Sequence, residues 1–520
     1  MKTNEAKLTK QQDSGRLTRP SVSNEGIPLG DLLPKVGVSE AHGVDGSRVL
    51  DLVTDSRRVV PGSLFFAMEG LRVDGNDYVE EAIKRGAVGV VSRRSYPAGD
   101  GFSSIRVDDA RQALARFSRR FHCFPDRDLA LAGVTGTNGK TTVSTLVKFL
   151  LERENSPVGM IGTVRYDLGD KALPSFKTTP ESADLYSMLR KMQVAGCAEA
   201  VMEVSSHGIA QDRVNGLNLA VAAFLNLSRD HLDYHGSMEE YFRAKCRIFN
   251  GMNGSLPMIG VINADCQWGR RLLEEVPPQV RLVTFGESMD ADFRAREIQL
   301  GQNGSHFLLE CSEGIFPVFS PLLGRYNISN ALAAFAIALA MGQPVKESVE
   351  IIRCFHGVDG RMQEVDEGQP YKVLVDYAHT PDALGNALQM LREFTPGRLQ
   401  VVFGCGGDRD RGKRSRMTEI ACGMADLAWA TADNPRTEKQ DRIFRDMRKG
   451  ISDSSKIEFV SDRRRAISKA LDEAGSGDCV LIAGKGHETL QEINRSALPF
   501  DDRLVARELL QNKREKWWNS

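Results

Sequence analysis

The sequence predicts an α/β protein of three domains: a small α/β N-terminal domain, a central P-loop-type mainly parallel sheet, and a C-terminal doubly wound, Rossmann-like sheet. Three observations carry this expectation. Strand-length apolar runs alternate with helical patterns through the last third of the chain, a Gly-rich loop sits between an apolar run and a helix near residue 136, and the joints FPDRD and HGVDGR separate regions of different periodicity. At about 100–200 residues per domain, a chain of 520 residues accommodates three.

The elements follow in order. Residues 1–26 are polar and lack the apolar core of a signal peptide, so a flexible tail is expected there. In 27–126, short apolar segments (SRVLDLVTDSR, GSLFFAMEG, VGVVS) surround one helical pattern, YVEEAIKRGA, with apolar positions at three- and four-residue spacing. In 127–356, LALAGV has strand length, GTNGK forms a turn and TTVSTLVKFLLERE reads as a helix. Further strands are expected at AEAVMEVSS, VAAFLNLS and MIGVINAD, and a helix at NISNALAAFAIALAMG. In 357–520 the alternation is regular: VLVDYAH and a helix from Pro381, LQVVFGCGG and a helix from Lys413, LAWATAD and EKQDRIFRDMRKG, IEFVSD and RRAISKALDEA, then DCVLIAGKG.

Composition narrows the function. Lys and Arg number 68 against 69 Asp and Glu, so no global field argues for nucleic acid, and any charged ligand must be held locally. The nine cysteines are scattered and form no Cys-x-x-Cys pair, which points to reduced thiols and no zinc. No uncharged apolar run is long enough to span a bilayer, so a cytoplasmic enzyme without membrane insertion is expected.

The sharpest motif is Gly136-Thr137-Asn138-Gly139-Lys140-Thr141-Thr142, between an apolar run and a helix. Such a loop turns backbone N–H groups toward phosphate oxygens, with Lys140 reaching the outer phosphates and Thr141 able to hold Mg²⁺. The common pattern places glycine at the position of Val134, whereas this chain has Gly133 one residue earlier. Glu203 ends the run AEAVMEV and is a candidate magnesium carboxylate, because ligands gather beyond the carboxyl ends of strands. SSHGIAQDR and NLSRDHLDYHG then supply Ser205, His207, Gln211, Arg213, Asp230, His231, Asp233 and His235. Taken singly, each is equally readable as a loop donor or a histidine satisfied by one backbone bond.

In sequence order, GTNGKTT, MEVSSHG, NLSRDHLDYHG, LLGRYNISNALAA, VDYAHTPDAL, GCGGDRDRGKR, DNPRTE and AGKGHE resemble the ATP-dependent Mur ligases of bacterial cell-wall synthesis, from about residue 50 to residue 490. The resemblance is strongest to members that add meso-diaminopimelate to a UDP-N-acetylmuramoyl dipeptide. It implies ATP as co-substrate, Mg²⁺ as cofactor, an acyl-phosphate intermediate, and release of ADP and phosphate from a monomeric enzyme. By resemblance, Lys140, Glu203, His231 and a carbamylated Lys245 are the catalytic group, and Thr141, Glu203, His231 and the Lys245 carbamate hold the metal. Lys245 would otherwise read as an ordinary helix lysine; carbamylation requires a neutral amine. Asn327, Asn330, Arg361 and Asp376 join the glycine loop in binding ATP, with a helix cap as the alternative reading of Asn327. Thr54, Ser56, Leu71, Arg72 and Val73, with Thr178, Thr179, Ser205, Gln211 and Arg213, hold the UDP-sugar peptide. Arg409, Asp433, Asn434, Pro435, Arg436, Gly484 and Glu488 form the diaminopimelate pocket, Arg436 clamping a carboxylate and Glu488 pairing with an ammonium.

Two kinds of alternative remain at this level. Within ligases, DNPR argues against a lysine-adding enzyme, and the Asp55-Ser56-Arg57 segment against a folate polyglutamate ligase. Outside them, a guanine-nucleotide switch would carry Asn-Lys-x-Asp, and the nearest string is NKRE at 512–515.

Overall fold

The computed structural model describes residues 25–518 except 71, 72, 100, 155, 302, 452 and 495. Leu71, Arg72 and the tail through residue 24 lie outside the described residues. The chain divides into two compact units, the first ending at Pro125 and the second starting at Asp126.

The first unit is built on a five-stranded sheet in the order Val38–His42, Ser103–Val107, Gly89–Ser92, Ser63–Phe66, Asp51–Val53. The last four strands are mutually parallel; Val38–His42 is an antiparallel edge. The helix Ala110–Phe121 starts where Asp109 accepts from the backbone N–H groups of Arg111 and Gln112, satisfying two of the donors a helix start leaves open. It packs Phe117 edge-on against Phe66 at 5.5 Å.

The second unit contains two sheets. The larger has eleven strands. Its middle is parallel, in the order Val158–Ile161, Glu199–Glu203, Ala130–Thr135, Val221–Phe224, Ile259–Asn263, Arg281–Gly286. These strands are nearly all apolar because helices cover both faces. On one face the helix Lys140–Leu151 packs with Arg325–Ala340, whose alanine-rich surface is buried almost all round. Ser182–Val194 and Met238–Cys246 cover the other. Antiparallel strands extend the sheet at both ends, the longest being Phe293–Gly301 and Gly304–Cys311.

The smaller sheet has six strands in the order Gln363–Glu364, Lys372–Asp376, Cys479–Ala483, Leu399–Cys405, Leu427–Ala432, Ile457–Val460. All but the first are parallel. Helices Pro381–Phe394, Gly412–Met424 and Gln440–Met447 cover one face, and Arg463–Glu473 and Asp502–Trp518 the other. The last strand, Cys479–Ala483, inserts between the first two long ones. It thereby creates a switch in strand order, the place where open α/β sheets bind ligands. Among the described residues no helix is long and apolar enough to cross a membrane. All nine cysteines are free thiols.

One buried ion pair locks the ligand-facing end of this sheet. Arg463 and Asp502 both have 0% side-chain exposure and meet through two bonds of 2.7 Å. Arg463 also donates to Ala432 O at 3.2 Å and Ala483 O at 2.9 Å, tying the final helix to the carboxyl ends of two strands. Removing one partner leaves a buried charge uncompensated, which costs about 3–5 kcal/mol. Asp502→Ala is therefore expected to lower the thermal midpoint markedly, and pairing it with Arg463→Met to recover part of that loss, both read by calorimetry.

Candidate active site

The glycine loop follows from the strand Ala130–Thr135, which delivers Gly136–Gly139 to the sheet's carboxyl end before the helix starts at Lys140. Gly139 has φ +87°, and a Cβ there would lie 2.4 Å from Asn330 Oδ1, so both backbone and space require glycine. Asn226, which the sequence did not single out, braces the loop: its Oδ1 accepts from Asn138 N at 2.9 Å and its Nδ2 donates to Asn138 O at 3.1 Å. Lys140 curls over the loop, its Nζ donating to Gly136 O and Thr137 O, each at 2.9 Å. Burial lowers its pKa, against the pull of Glu203 and Asp230.

Glu203 is 1% exposed and carries three donors. Thr141 Oγ1 and Thr163 Oγ1 reach Oε2 at 3.0 and 2.9 Å, and Thr163 N reaches Oε1 at 2.7 Å. Thr163 is a second residue the sequence left unmarked; it lies just past a strand end, with no motif around it. Arg361 crosses from the segment leading into the smaller sheet and donates to Thr141 Oγ1 at 3.2 Å. Its guanidinium lies 4.6 Å from the centre of the Tyr377 ring. Asp376, nearby in sequence, accepts from Met362 N and Ala378 N at 2.8 Å each, while burial pushes its carboxyl up against the effect of Arg361. Asn327 is not the cap of its helix, a place taken by Gly324; its side chain bonds Leu323 O and Asn330. Thr142 is buried on the helix's first turn.

Lys245 projects from the helix Met238–Cys246 to the underside of the same loop and is 1% exposed. Among the described residues its hydrogen bonds go to Gly136 O at 3.0 Å and Thr135 Oγ1 at 3.3 Å, not to a carboxylate. Burial, reinforced by the charge of Lys140, holds its pKa well below the usual lysine range. Tyr241, one turn earlier, places its ring 4.8 Å from the amine and its hydroxyl 3.2 Å from Thr137 Oγ1. His231 has φ +54° and stands with His207 (ring centres 4.8 Å apart) beside His235. Burial lowers the pKa of His207 and of His235 to about 4.

The residues read as holding the peptide form a chain of bonds leading to Glu203. Thr178 Oγ1 lies 3.0 Å from Thr163 Oγ1. Thr179 Oγ1 donates to Glu203 O and meets Ser205, and Arg213 donates to Thr179 O and Gln211 Oε1. Thr54, Ser56 and Val73 belong to the first unit, where the Ser56 hydroxyl donates to Glu81 Oε2 at 2.9 Å and Val73 is exposed.

A cavity of about 750 Å³ joins the two sheets of the second unit. His207, Asp230 and His231 line one side; Arg409, Asp433, Asn434, Arg436, Gly484 and Glu488 line the other. Pro435 carries the turn between them, and its carbonyl lies where a Cβ on Gly407 would be 1.9 Å away. Arg436, at φ +54°, is fixed by Gly407 O at 2.9 Å and Glu492 Oε2 at 2.8 Å. Burial works to raise the Asp433 carboxyl, but Lys485 and Arg463 outweigh it and hold it below the usual range. Glu488 already receives an ammonium, that of Lys485, and the Asn434 amide.

A strand, glycine loop and helix beside a buried carboxylate, facing an ion-lined cavity on a second sheet, form the framework of an ATP-dependent ligase. Family models described as "Mur ligase family, catalytic domain", "Mur ligase middle domain" and "Mur ligase, glutamate ligase domain" match residues 51–122, 134–338 and 360–486, and the chain belongs to the Mur ligase family. It is 42% identical over 485 residues to a UDP-N-acetylmuramoyl-L-alanyl-D-glutamate–2,6-diaminopimelate ligase of Solibacter usitatus, covering 93% of this chain and 98% of the relative. A protein of the same name from Listeria monocytogenes is 40% identical over 491 residues, covering 94% and 99%. A solved structure with that name superposes with a TM-score of 0.67 at 33% identity, over 94% of this chain and 99% of that one. The fold is shared with a Thermotoga maritima MurF ligase in complex with ADP, with a TM-score of 0.61 at 20% identity, over 90% of this chain and 98% of the other.

Two further histidines border this site. Burial, with Lys413 for His379 and Arg361 for His487, lowers each pKa to about 4. Between pH 4 and 6.5 both stay neutral when folded, whereas the unfolded chain takes up protons. Their contribution is therefore complete above pH 6.5 and lost as pH falls toward 4. The thermal midpoint should fall across that window, and the double substitution His379→Gln, His487→Gln should flatten the fall.

Proposed function

We propose that this chain joins meso-2,6-diaminopimelate to UDP-N-acetylmuramoyl-L-alanyl-D-glutamate with cleavage of ATP to ADP and phosphate, a step in making peptidoglycan precursors. The cavity carries the reading, because in it the His207, Asp230 and His231 side faces Asp433, Asn434 and Arg436. The names of relatives at about 40% identity over almost the whole chain support it. In this reading residues 27–126 bind the UDP-sugar, 127–356 bind ATP and 357–520 bind the amino acid, in a cytoplasmic monomer.

The chemistry asks for charge compensation. A dipeptide carboxylate oxygen attacks the γ-phosphorus, the bond to the ADP oxygen breaks, and a mixed acyl-phosphate anhydride forms. The amine of diaminopimelate then attacks the acyl carbon and phosphate leaves. Lys140 and Arg361 offset repulsion between the two anions, and the loop N–H groups orient the phosphates. Thr178, Thr179 and Arg213 hold the dipeptide beside Glu203. Arg436 receives the distal carboxylate of diaminopimelate, which lysine lacks.

Among the described residues no group of three or more His, Cys, Asp and Glu side chains clusters as a metal site. Thr141, Glu203 and His231 alone are a poor set for a hard divalent cation, which wants several oxygen ligands. The burial of Lys245, whose hydrogen bonds among the described residues go to a hydroxyl and a carbonyl, fits the missing donor. A neutral amine there adds carbon dioxide, losing a proton, to give a carbamate whose oxygens complete an oxygen-rich set. Mg²⁺ so held by Thr141, Glu203, His231 and the Lys245 carbamate would neutralise phosphate charge.

The decisive assay mixes purified protein with ATP, the muramoyl dipeptide and an amino acid. ADP and phosphate are expected only when both acceptor and diaminopimelate are present, with lysine inert; AMP and pyrophosphate would refute the reading. Arg436→Ala should raise the KM for diaminopimelate at least about tenfold, by loss of charge-assisted bonds, with the KM for ATP near normal. Lys245→Ala should abolish turnover and regain part of it with added short carboxylic acids, measured as phosphate release.

A further inference from the structure

Lys485 lies in the loop after Cys479–Ala483, and its side chain has 0% exposure. A buried ammonium is costly unless each of its three N–H groups finds an acceptor. All three do: Nζ donates to Asn434 Oδ1 at 3.0 Å, Glu488 Oε2 at 2.9 Å and Leu490 O at 2.8 Å. It has no donor left for a substrate, so whatever it does for the cavity it does through its partners.

Two of those partners, Asn434 and Glu488, line the cavity. Asn434 Nδ2 donates to Glu488 Oε2 at 2.9 Å, and Asn434 Oδ1 also accepts from Glu492 N at 3.0 Å. The Asn434 amide is thus fixed end for end. Both bonds to Glu488 fall on Oε2, which leaves Oε1 to the cavity. Charge makes a lysine the right residue for this task. Asp433 and Glu488 are two carboxylates on one wall, and Lys485 stands behind them with Arg463 as the compensating cation. A neutral side chain of the same length could fill the space but would leave the carboxylates to repel each other.

We propose that Lys485 is a positioning residue for the amino-acid substrate, its buried ammonium holding Glu488 and Asn434 in the orientation that receives a zwitterionic amino-acid head group. This rests on reading the cavity as the diaminopimelate pocket.

The test uses the full-length protein and two substitutions, Lys485→Met, which keeps the length, and Lys485→Gln, which keeps a donor. Circular dichroism and the thermal midpoint identify the folded variant to be assayed. Its KM for diaminopimelate should rise about tenfold or more, the loss expected for bonds to charged groups, with the KM for ATP within about twofold of wild type. Combined with Glu488→Gln, the lysine substitution should add little to the effect of Glu488→Gln alone, because both act through one carboxylate. An unchanged KM for diaminopimelate, an equal rise for ATP, or fully additive effects would each overturn the proposal. Wild-type protein that fails to use diaminopimelate would instead overturn the substrate reading beneath it.

Discussion

Everything at the larger sheet's ligand-facing end is arranged around one sealed carboxylate. Glu203 is taken out of water at a strand end, and its charge is tolerable only because two hydroxyls and one backbone N–H converge on it. Those donors come from two separate stretches, the first turn of the loop helix and the segment after Val158–Ile161. Satisfying Glu203 therefore fixes the glycine loop relative to Thr163 and its neighbours Thr178 and Thr179. Gly162 lets this happen, since a Cβ there would lie 2.6 Å from Glu203 Oε1. Arg361 extends the network into the second sheet through Thr141.

Lys140 and Arg361 flank this carboxylate, and Lys140 and Lys245 rest on loop carbonyls. Bonds from ammonium to neutral carbonyls are weaker than those to phosphate or carboxylate oxygens, so an arriving polyanion can take these donors without breaking an ion pair. Burial and the charge of Lys140 hold the Lys245 amine well below the usual lysine range, against the pull of Asp230.

The legible parts of the sequence were those written in continuous local patterns. The alternation after Lys372 marked its strands because all but the edge strand Ile457–Val460 are buried on both faces, and the glycine loop was recognisable from strand, turn and helix in succession. The strands Phe293–Gly301 and Gly304–Cys311 were missed because they alternate charged and apolar residues and carry no turn signature of a parallel unit. Asn226, Thr163 and Lys485 were missed for a different reason. Each bonds a partner distant in sequence, 88 residues away for Asn226, 40 for Thr163 and 51 for Lys485, so that even for Asn226 and Lys485, which lie inside recognisable motifs, the bonding role is not written locally. Likewise, the sequence gives Glu488 a role toward an ammonium but not the fact that an internal ammonium already holds one of its oxygens.

The segment leading into the smaller sheet packs its backbone directly on that sheet's ligand-facing loop. Gly360, at φ +65°, comes so close to the loop after Cys479–Ala483 that a Cβ on it would lie 2.0 Å from His487 N. The next residue is Arg361, whose guanidinium bonds the Thr141 hydroxyl. Three residues on from Gly484, His487 is flanked by Gly486 and by Glu488 of the cavity wall. With no room for a side chain at the contact, the 484–488 loop cannot advance on Gly360 without displacing it, and the residue after Gly360 carries the cation bonded to Thr141. The loop that lines the cavity at Gly484 and Glu488 and the guanidinium bonded to Thr141 are thus neighbours through one glycine contact.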